Sequence, residues 1–192
     1  MSNVVNPSRR LVVGRGFLSA AAVGLIAGAP ALAAPMGAKK DASSADVAIL
    51  NVALALEHEA IEAYQIGAES GLVTQAVLPT AVLFQSHHKA HRDALVATIG
   101  QLGGKPVGAK KRADYEKSLN VAALKSEADV LKLAAKLELG AANAYLGVIP
   151  SFMSKDLAKV SARLAADETM HWTALAQALG QSIPQAALSF GA

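Results

Sequence analysis

Four stretches of the chain carry apolar residues at every third or fourth position, and glutamate or histidine interrupts each stretch near its middle. The first reads Leu50, Leu54, Glu57, Ile61, Tyr64, and the second Phe84, His88, His91, Leu95, Ile99. The third reads Leu131, Ala135, Glu138, Ala142, Tyr145, Ile149, and the fourth Leu164, Glu168, His171, Leu175, Leu179. Steps of three and four residues stay on one helical face, so each stretch predicts a helix with a buried seam. The interrupting side chains then point where the helices pack. An ionised carboxylate is costly to bury unless it is paired, hydrogen-bonded or bound to metal. One Glu-x-x-His, as at Glu168 and His171, places two groups on a shared face. Alone it is a weak signal, and its weight comes from the other three seams.

The seams are not independent. Leu56 to Tyr64 aligns with Leu137 to Tyr145 at an offset of 81 residues, keeping Leu, Glu, Ala, Ala and Tyr in place. His88 to Leu95 aligns with Glu168 to Leu175 at an offset of 80, and Gly100-Gln101 repeats as Gly180-Gln181. Two helical hairpins are therefore copies of one unit. The predicted fold is all-α: a four-helix bundle of two repeated hairpins joined by a long crossover.

Punctuation along the chain sets the boundaries. Ser43-x-x-Asp46 resembles a capping box and is expected to start the first helix, which runs to about Ser70 before Gly71. Pro79 suits the first turn of the second helix, which ends near Gly103-Gly104. Residues 104–125 form the longest break and contain Pro106 and the run Lys110-Lys111-Arg112. Helices of about 25 residues are roughly 37 Å long, and this connection can cross the whole bundle. Its basic run is expected to be a solvated loop, with an acidic partner as the alternative. Ser126-x-x-Asp129 starts the third helix and Pro150 ends it. The fourth spans about Ser154 to Leu179, and the tail 181–192 either folds back on the bundle or meets another subunit.

The first 33 residues have a different character. Arg9-Arg10 precedes apolar residues, Phe17 to Ala33 is rich in Ala and Gly, and Ala31-Leu32-Ala33 supplies the small residues read by a signal peptidase. Residues 1–33 are expected to be a twin-arginine (Tat) leader, with an uncleaved anchor as the alternative, and 34–43 a linker. The mature chain is then expected in the periplasm without stable membrane association. Removing Arg9, Arg10 and Arg15 leaves 15 basic against 15 acidic residues, so the excess of Lys+Arg over Asp+Glu, 18 to 15, belongs to the leader. With no basic footprint and only 4% aromatics, nucleic-acid binding is not expected. The chain has no cysteine, which excludes disulfides and thiolate metal sites.

Three carboxylates and three imidazoles on facing seams suit iron, manganese or zinc. The set also resembles the ferritin-like superfamily, and within it the exported bacterial ferritin-like domain proteins, over residues 44–180. Glu57 and Glu138 match the single glutamates of that family's first and third helices. Glu168 and His171 match the Glu-x-x-His of its fourth, and His91 the histidine of its second. His88 departs from the pattern, standing where the family usually has a glutamate that often bridges two metals. The resemblance implies a divalent metal, iron first, held by Glu57, His88, His91, Glu138, Glu168 and His171. The lost carboxylate predicts one tight ion, on the Glu138/Glu168/His171 side, with the second weak or absent. The implied partner of the metal is O2 or peroxide, in metal handling or stress defence. Alternatives are a non-catalytic bundle whose polar groups pair with each other, and manganese-catalase-like peroxide disproportionation. Tyr64 and Tyr145, seven residues beyond Glu57 and Glu138, are read as core residues near the ligands, and His87 as lying at a helix edge beside them. His58, Glu59 and Glu62 fall off the seam and are expected at the surface or behind the ligands, and Trp172 at a helix edge.

Overall fold

The computed structural model describes residues 40–191. The expected leader, and with it residues 34–39 of the linker, lies outside the described residues. Five α-helices follow: α1 (Lys40–Glu69), α2 (Leu78–Gln101), the short α3 (Arg112–Ser118), α4 (Glu127–Val148) and α5 (Lys155–Ala178). Single 3-10 turns occupy Val121–Ala123 and Ile149–Ser151. There is no strand among the described residues, and no helix among them is long and apolar enough to cross a membrane.

Most of the punctuation acts locally as its chemistry dictates. The Ser126 side chain accepts the Asp129 N–H at the start of α4, and Asp129 Oδ2 accepts the Lys125 N–H at 3.1 Å. Pro79 lies in the first turn of α2, where its missing N–H costs nothing. Gly71 and Gly180 take φ of 71° and 69° just past α1 and α5, a region closed to most side chains.

Ser43 and Asp46 do not form the expected cap, because α1 begins earlier, at Lys40. Ser43 Oγ donates to the Leu102 carbonyl at 3.0 Å. Asp46 is buried and accepts the Met153 and Ser154 N–H groups at 2.9 and 3.2 Å. It thus ties the start of α1 to the residue that caps α5.

That tie places the starts of α1 and α5 at one end, together with the end of α2. At the other end Glu127, opening α4, accepts the Thr74 N–H beyond α1 at 2.6 Å. The helices therefore run up, down, down, up, and the connection from α2 to α4 crosses the full bundle. It is not a plain loop. It follows α1, with Asn51 holding the backbone of Lys105 and Val107, and His58 Nε2 lying 3.2 Å from the Val107 carbonyl. It then forms α3, whose Tyr115 packs with Leu119 on Ile66. Arg112 opens that helix and pairs with Glu69 at 2.6 Å, Glu116 at 3.0 Å and Glu62 at 3.7 Å, so only Lys110 and Lys111 of the basic run keep the expected exposed loop character. The tail folds back: Phe190 meets Trp172 edge-on at 5.2 Å, and the Gly191 N–H reaches Asn143 Oδ1 at 2.8 Å.

Two apolar clusters fill the bundle ends. Leu50, Leu54, Leu95, Ile99, Leu157 and Leu164 belong to one; Tyr64, Phe84, Leu131 and Leu175 to the other. Between them the interior is polar. Glu57, Glu138, Glu168, His88 and His171 are as enclosed as Leu54 and Ile99.

Candidate metal centre

Each long helix delivers its seam residue to one layer at mid-bundle: Glu57 from α1, His88 and His91 from α2, Glu138 from α4, Glu168 and His171 from α5. The six sequence-predicted residues converge, all buried. They form two overlapping groups whose ligand atoms lie within 4.8 Å of one another: Glu57, His88, His91 and Glu168, and His88, Glu138, Glu168 and His171.

The two groups follow one plan. His91 Nδ1 lies 3.5 Å from Glu57 Oε1 and 3.2 Å from Glu168 Oε1. His171 Nδ1 lies 3.4 Å from Glu138 Oε2 and 3.0 Å from Glu168 Oε2. Glu168 thus gives one oxygen to each side. His88 stands between them, with Nδ1 at 2.8 Å from Glu57 Oε2 and Nε2 at 3.1 Å from Glu138 Oε1. The His88 ring thus spans the two halves through its two nitrogens.

The tyrosines cross between hairpins. Tyr64 of α1 donates to Glu138 Oε1 of α4, and Tyr145 of α4 donates to Glu57 Oε1 of α1. Measured along its own helix, each tyrosine is far from the glutamate of its own repeat. The antiparallel packing of α1 on α4 brings it level with the other one. His87, half-buried at the edge of α2, brings its Nδ1 to 2.9 Å from His171 Nε2. Phe84 stacks on the His171 ring at a centroid distance of 4.2 Å. Asp167, to which the sequence reading gave no role, lies with Oδ2 at 3.2 Å from His91 Nε2. The 80-residue offset was the available signal, since it places Asp167 on His87.

Burial and charge compete at every group. Burial pushes His88 toward neutrality, but its hydrogen bonds to Glu138 and Glu57 win and raise its pKa to about 11. His91 is raised to about 10 in the same way, burial being outweighed by Glu168 and Glu57. His171 is also raised, with Glu138 and Glu168 overcoming its burial. Burial likewise opposes the charge on Glu57 and Glu138, yet the histidine bonds hold both below the usual carboxylate range. Burial and the neighbouring glutamates push Tyr64 and Tyr145 well above the ordinary phenol value. Burial lowers His87, as do the charges of His171 and His91.

The donor set fits a metal ion. Among the described residues, the buried side-chain atoms without a hydrogen-bond partner are His91 Nδ1, Glu138 Oε2 and Glu168 Oε1. All three belong to this cluster, where His91 Nδ1 lies 3.2 Å from Glu168 Oε1 and His171 Nδ1 3.4 Å from Glu138 Oε2, so a cation bound here would take the place of the histidine protons. A tetrahedral ion with bonds of about 2.0–2.1 Å keeps its ligands roughly 3.3–3.4 Å apart, close to the separations here.

A buried layer of glutamate and histidine inside an up-down-down-up bundle is the arrangement of a ferritin-type helical bundle. Residues 45–181 match the ferritin-like domain family, to which the chain belongs. A conserved hypothetical protein, rv2844, from Mycobacterium tuberculosis shares the fold, with a TM-score of 0.62 over 77% of this chain and 99% of that one, at 24% identity. No curated protein matches the chain.

Proposed function

We propose that this protein is a periplasmic metal-binding bundle, exported by the Tat route, that handles iron in metal homeostasis or in oxygen or peroxide chemistry under stress. Manganese and zinc are the alternative ions. The observation that carries the reading is the enclosed set of His91 Nδ1, Glu138 Oε2 and Glu168 Oε1, three buried atoms without a well-formed hydrogen bond. A redox-active ion held here would supply electrons to oxygen or peroxide. Glu138, Glu168 and His171 hold the tight ion, and Glu57 and His91 face a weaker second position. Tyr64 and Tyr145 orient the glutamates by donating to one oxygen of each. The apolar clusters above and below exclude water, which strengthens every charge interaction between them.

A second reading is a bundle that works without metal, acting through its surface. It is favoured by His88, whose two nitrogens already join Glu57 to Glu138. Elemental analysis of protein taken from its native periplasm separates the readings. Near-stoichiometric iron or manganese supports the first, and metal-free protein that also fails to bind Fe(II), Mn(II) or Zn(II) overturns it. Oxygen release from peroxide by manganese-loaded protein would instead identify disproportionation.

A further inference from the structure

We propose that the cavity between the bundle and its crossover connection is a binding site for a small, uncharged, apolar molecule. It has a volume of about 40 Å³ and lies where the second apolar cluster meets the packing of α3 on α1. Small side chains make the space. Ala63 and Gly67 of α1, Ala81 of α2 and Ala134 of α4 line it, and Leu119 and Leu124 of the crossover cover it. Gly67 is absent from the glycines with positive φ, so no turn accounts for it. A glycine inside a helix is unfavourable, and here a Cβ would come within 3.1 Å of Val130 Cγ1. Glycine thus lets α1 and α4 close on one another at the cavity wall, while the alanines beside it leave the interior unfilled.

The lining decides the ligand. No charged side chain lines the cavity, and Tyr64 and Thr80 bring its only side-chain polar atoms. The Tyr64 hydroxyl is committed to Glu138, and Thr80 is exposed at the rim. An enclosed water needs roughly 2–4 polar partners, which these walls do not supply, and an apolar void of this kind stays dry and takes up an apolar guest. A carboxylate or an amine would lose its hydration here and gain no partner. Size alone would point elsewhere. The cleft between α2 and α5 is larger, about 80 Å³, but His91, Thr98, Arg163 and Asp167 lie among its walls. Such a cleft holds water, and the smaller cavity is the one that favours an apolar guest. None of the six residues of the candidate metal centre lines it, so the site stands whether or not the bundle holds metal. Its inner wall still touches them: Tyr64 bonds Glu138, and Phe84 stacks on His171 at 4.2 Å. An occupant lies one ring away from the polar layer.

The test uses the full chain, with 13C-labelled leucine and valine methyls, titrated with dissolved xenon and followed by NMR. Xenon should shift the methyls of Val77, Val130, Leu131 and Leu175, while those of Leu50 and Leu157 in the α2–α5 cleft stay unmoved. Ala81→Leu and Ala134→Leu, which fill the cavity from α2 and from α4, should each abolish the shifts. Two fills are used because overpacking can disrupt a fold, and the unaltered chain is decisive by itself. Propionate, which carries a charge, should leave the same methyls in place. The absence of any xenon shift, shifts confined to Leu50 and Leu157, or shifts that survive in a folded Ala81→Leu or Ala134→Leu chain would overturn the site. An equal response to propionate would overturn its restriction to uncharged molecules.

Discussion

The half-site of Glu57 and His91 and the half-site of Glu138 and His171 descend from one pattern but have diverged in how much of their bonding capacity is spoken for. Glu57 has both oxygens occupied, Oε1 by Tyr145 and Oε2 by His88. Glu138 takes both Tyr64 and His88 on Oε1 and leaves Oε2 without a hydrogen bond, 3.4 Å from His171 Nδ1. His171 is fully enclosed under Phe84, whereas His91 keeps 8% of its surface and lines a cleft with Asp167 and Arg163. An ion entering beside Glu57 must displace a donor that is already in place; one entering beside Glu138 meets an oxygen held only by the longer contact to His171, in a drier setting. Two copies of one motif can thus keep the same residues and differ in affinity through the donors around them.

Breaking the Glu138 side should have the largest effect. Glu138→Ala strands His88, His171 and Tyr64 in the interior, and removing one partner from a buried charged set costs about 3–5 kcal/mol. Chemical denaturation should register that loss, and metal titration a steep fall in affinity. Glu57→Ala should cost comparable stability but retain the tight ion. Glu62→Ala, on the outer face beside Arg112, should change neither. Loss of the tight ion with Glu57→Ala and its retention with Glu138→Ala would reverse the assignment.

His88→Glu sharpens the comparison by restoring the missing bridge. The metal-free variant should be less stable, since four carboxylates would then share one interior, while metal per chain should rise from about one toward two. Elemental analysis after equilibration with Fe(II) or Mn(II) and desalting reads this directly. A wild-type value of two, unchanged in the variant, would mean that the halves are equally competent.

A pH series separates the metal-free and loaded forms. In the folded metal-free chain His88 and His91 titrate near 11 and 10, above the ordinary 6.5. Their contribution to stability is full below about 6.5 and disappears as pH rises through 10 to 11. Glu57 and Glu138 are shifted downward from 4.5, so theirs is full above about 4.5 and is lost on acidification. Metal-free melting temperature should therefore be highest between these limits and decline on the alkaline side. Metal must displace histidine protons, so zinc affinity should rise over the same alkaline range and zinc binding should release protons. Melting curves that fall in parallel for both forms would contradict this.

A smaller effect than at Glu138 is expected from Tyr145→Phe. Losing one hydrogen bond to a buried carboxylate costs about 1.5–3 kcal/mol, but it frees Glu57 Oε1. The variant should be less stable without metal and hold a second ion more tightly than wild type. Tyr64→Phe should lack the second part of that response, because Glu138 Oε2 already carries no hydrogen bond.

The seams, and with them the six converging residues, were legible because helical periodicity reports which side chains face inward. Contacts between helices were not, because periodicity says nothing about the register of one helix against another. Tyr64 and Glu138 meet only through the antiparallel pairing of α1 and α4, and Asp167 reaches His91 only across α2 and α5. Two identical motifs show the limit for local signals. Ser126-x-x-Asp129 caps a helix as written. Ser43-x-x-Asp46 lies inside one, because α1 continues through Lys40 and Asp46 is engaged by the backbone before α5. The helix α3 escaped notice because seven residues are too few to display a period. Arg112 and Tyr115 hold it through contacts with α1 that no local pattern announces.

The crossed tyrosines act on α1 and α4 like two bolts through a pair of sliding bars. A shift of one helical turn, about 5.4 Å, would pull Tyr64 from Glu138 and Tyr145 from Glu57 in the same movement. The hairpins can separate, but they have no intermediate stop along the axis at which one bond survives and the other is lost. The spacing of Glu57 and Glu138 along the bundle axis is therefore set by the protein itself, and any ion held between them would have to fit that spacing.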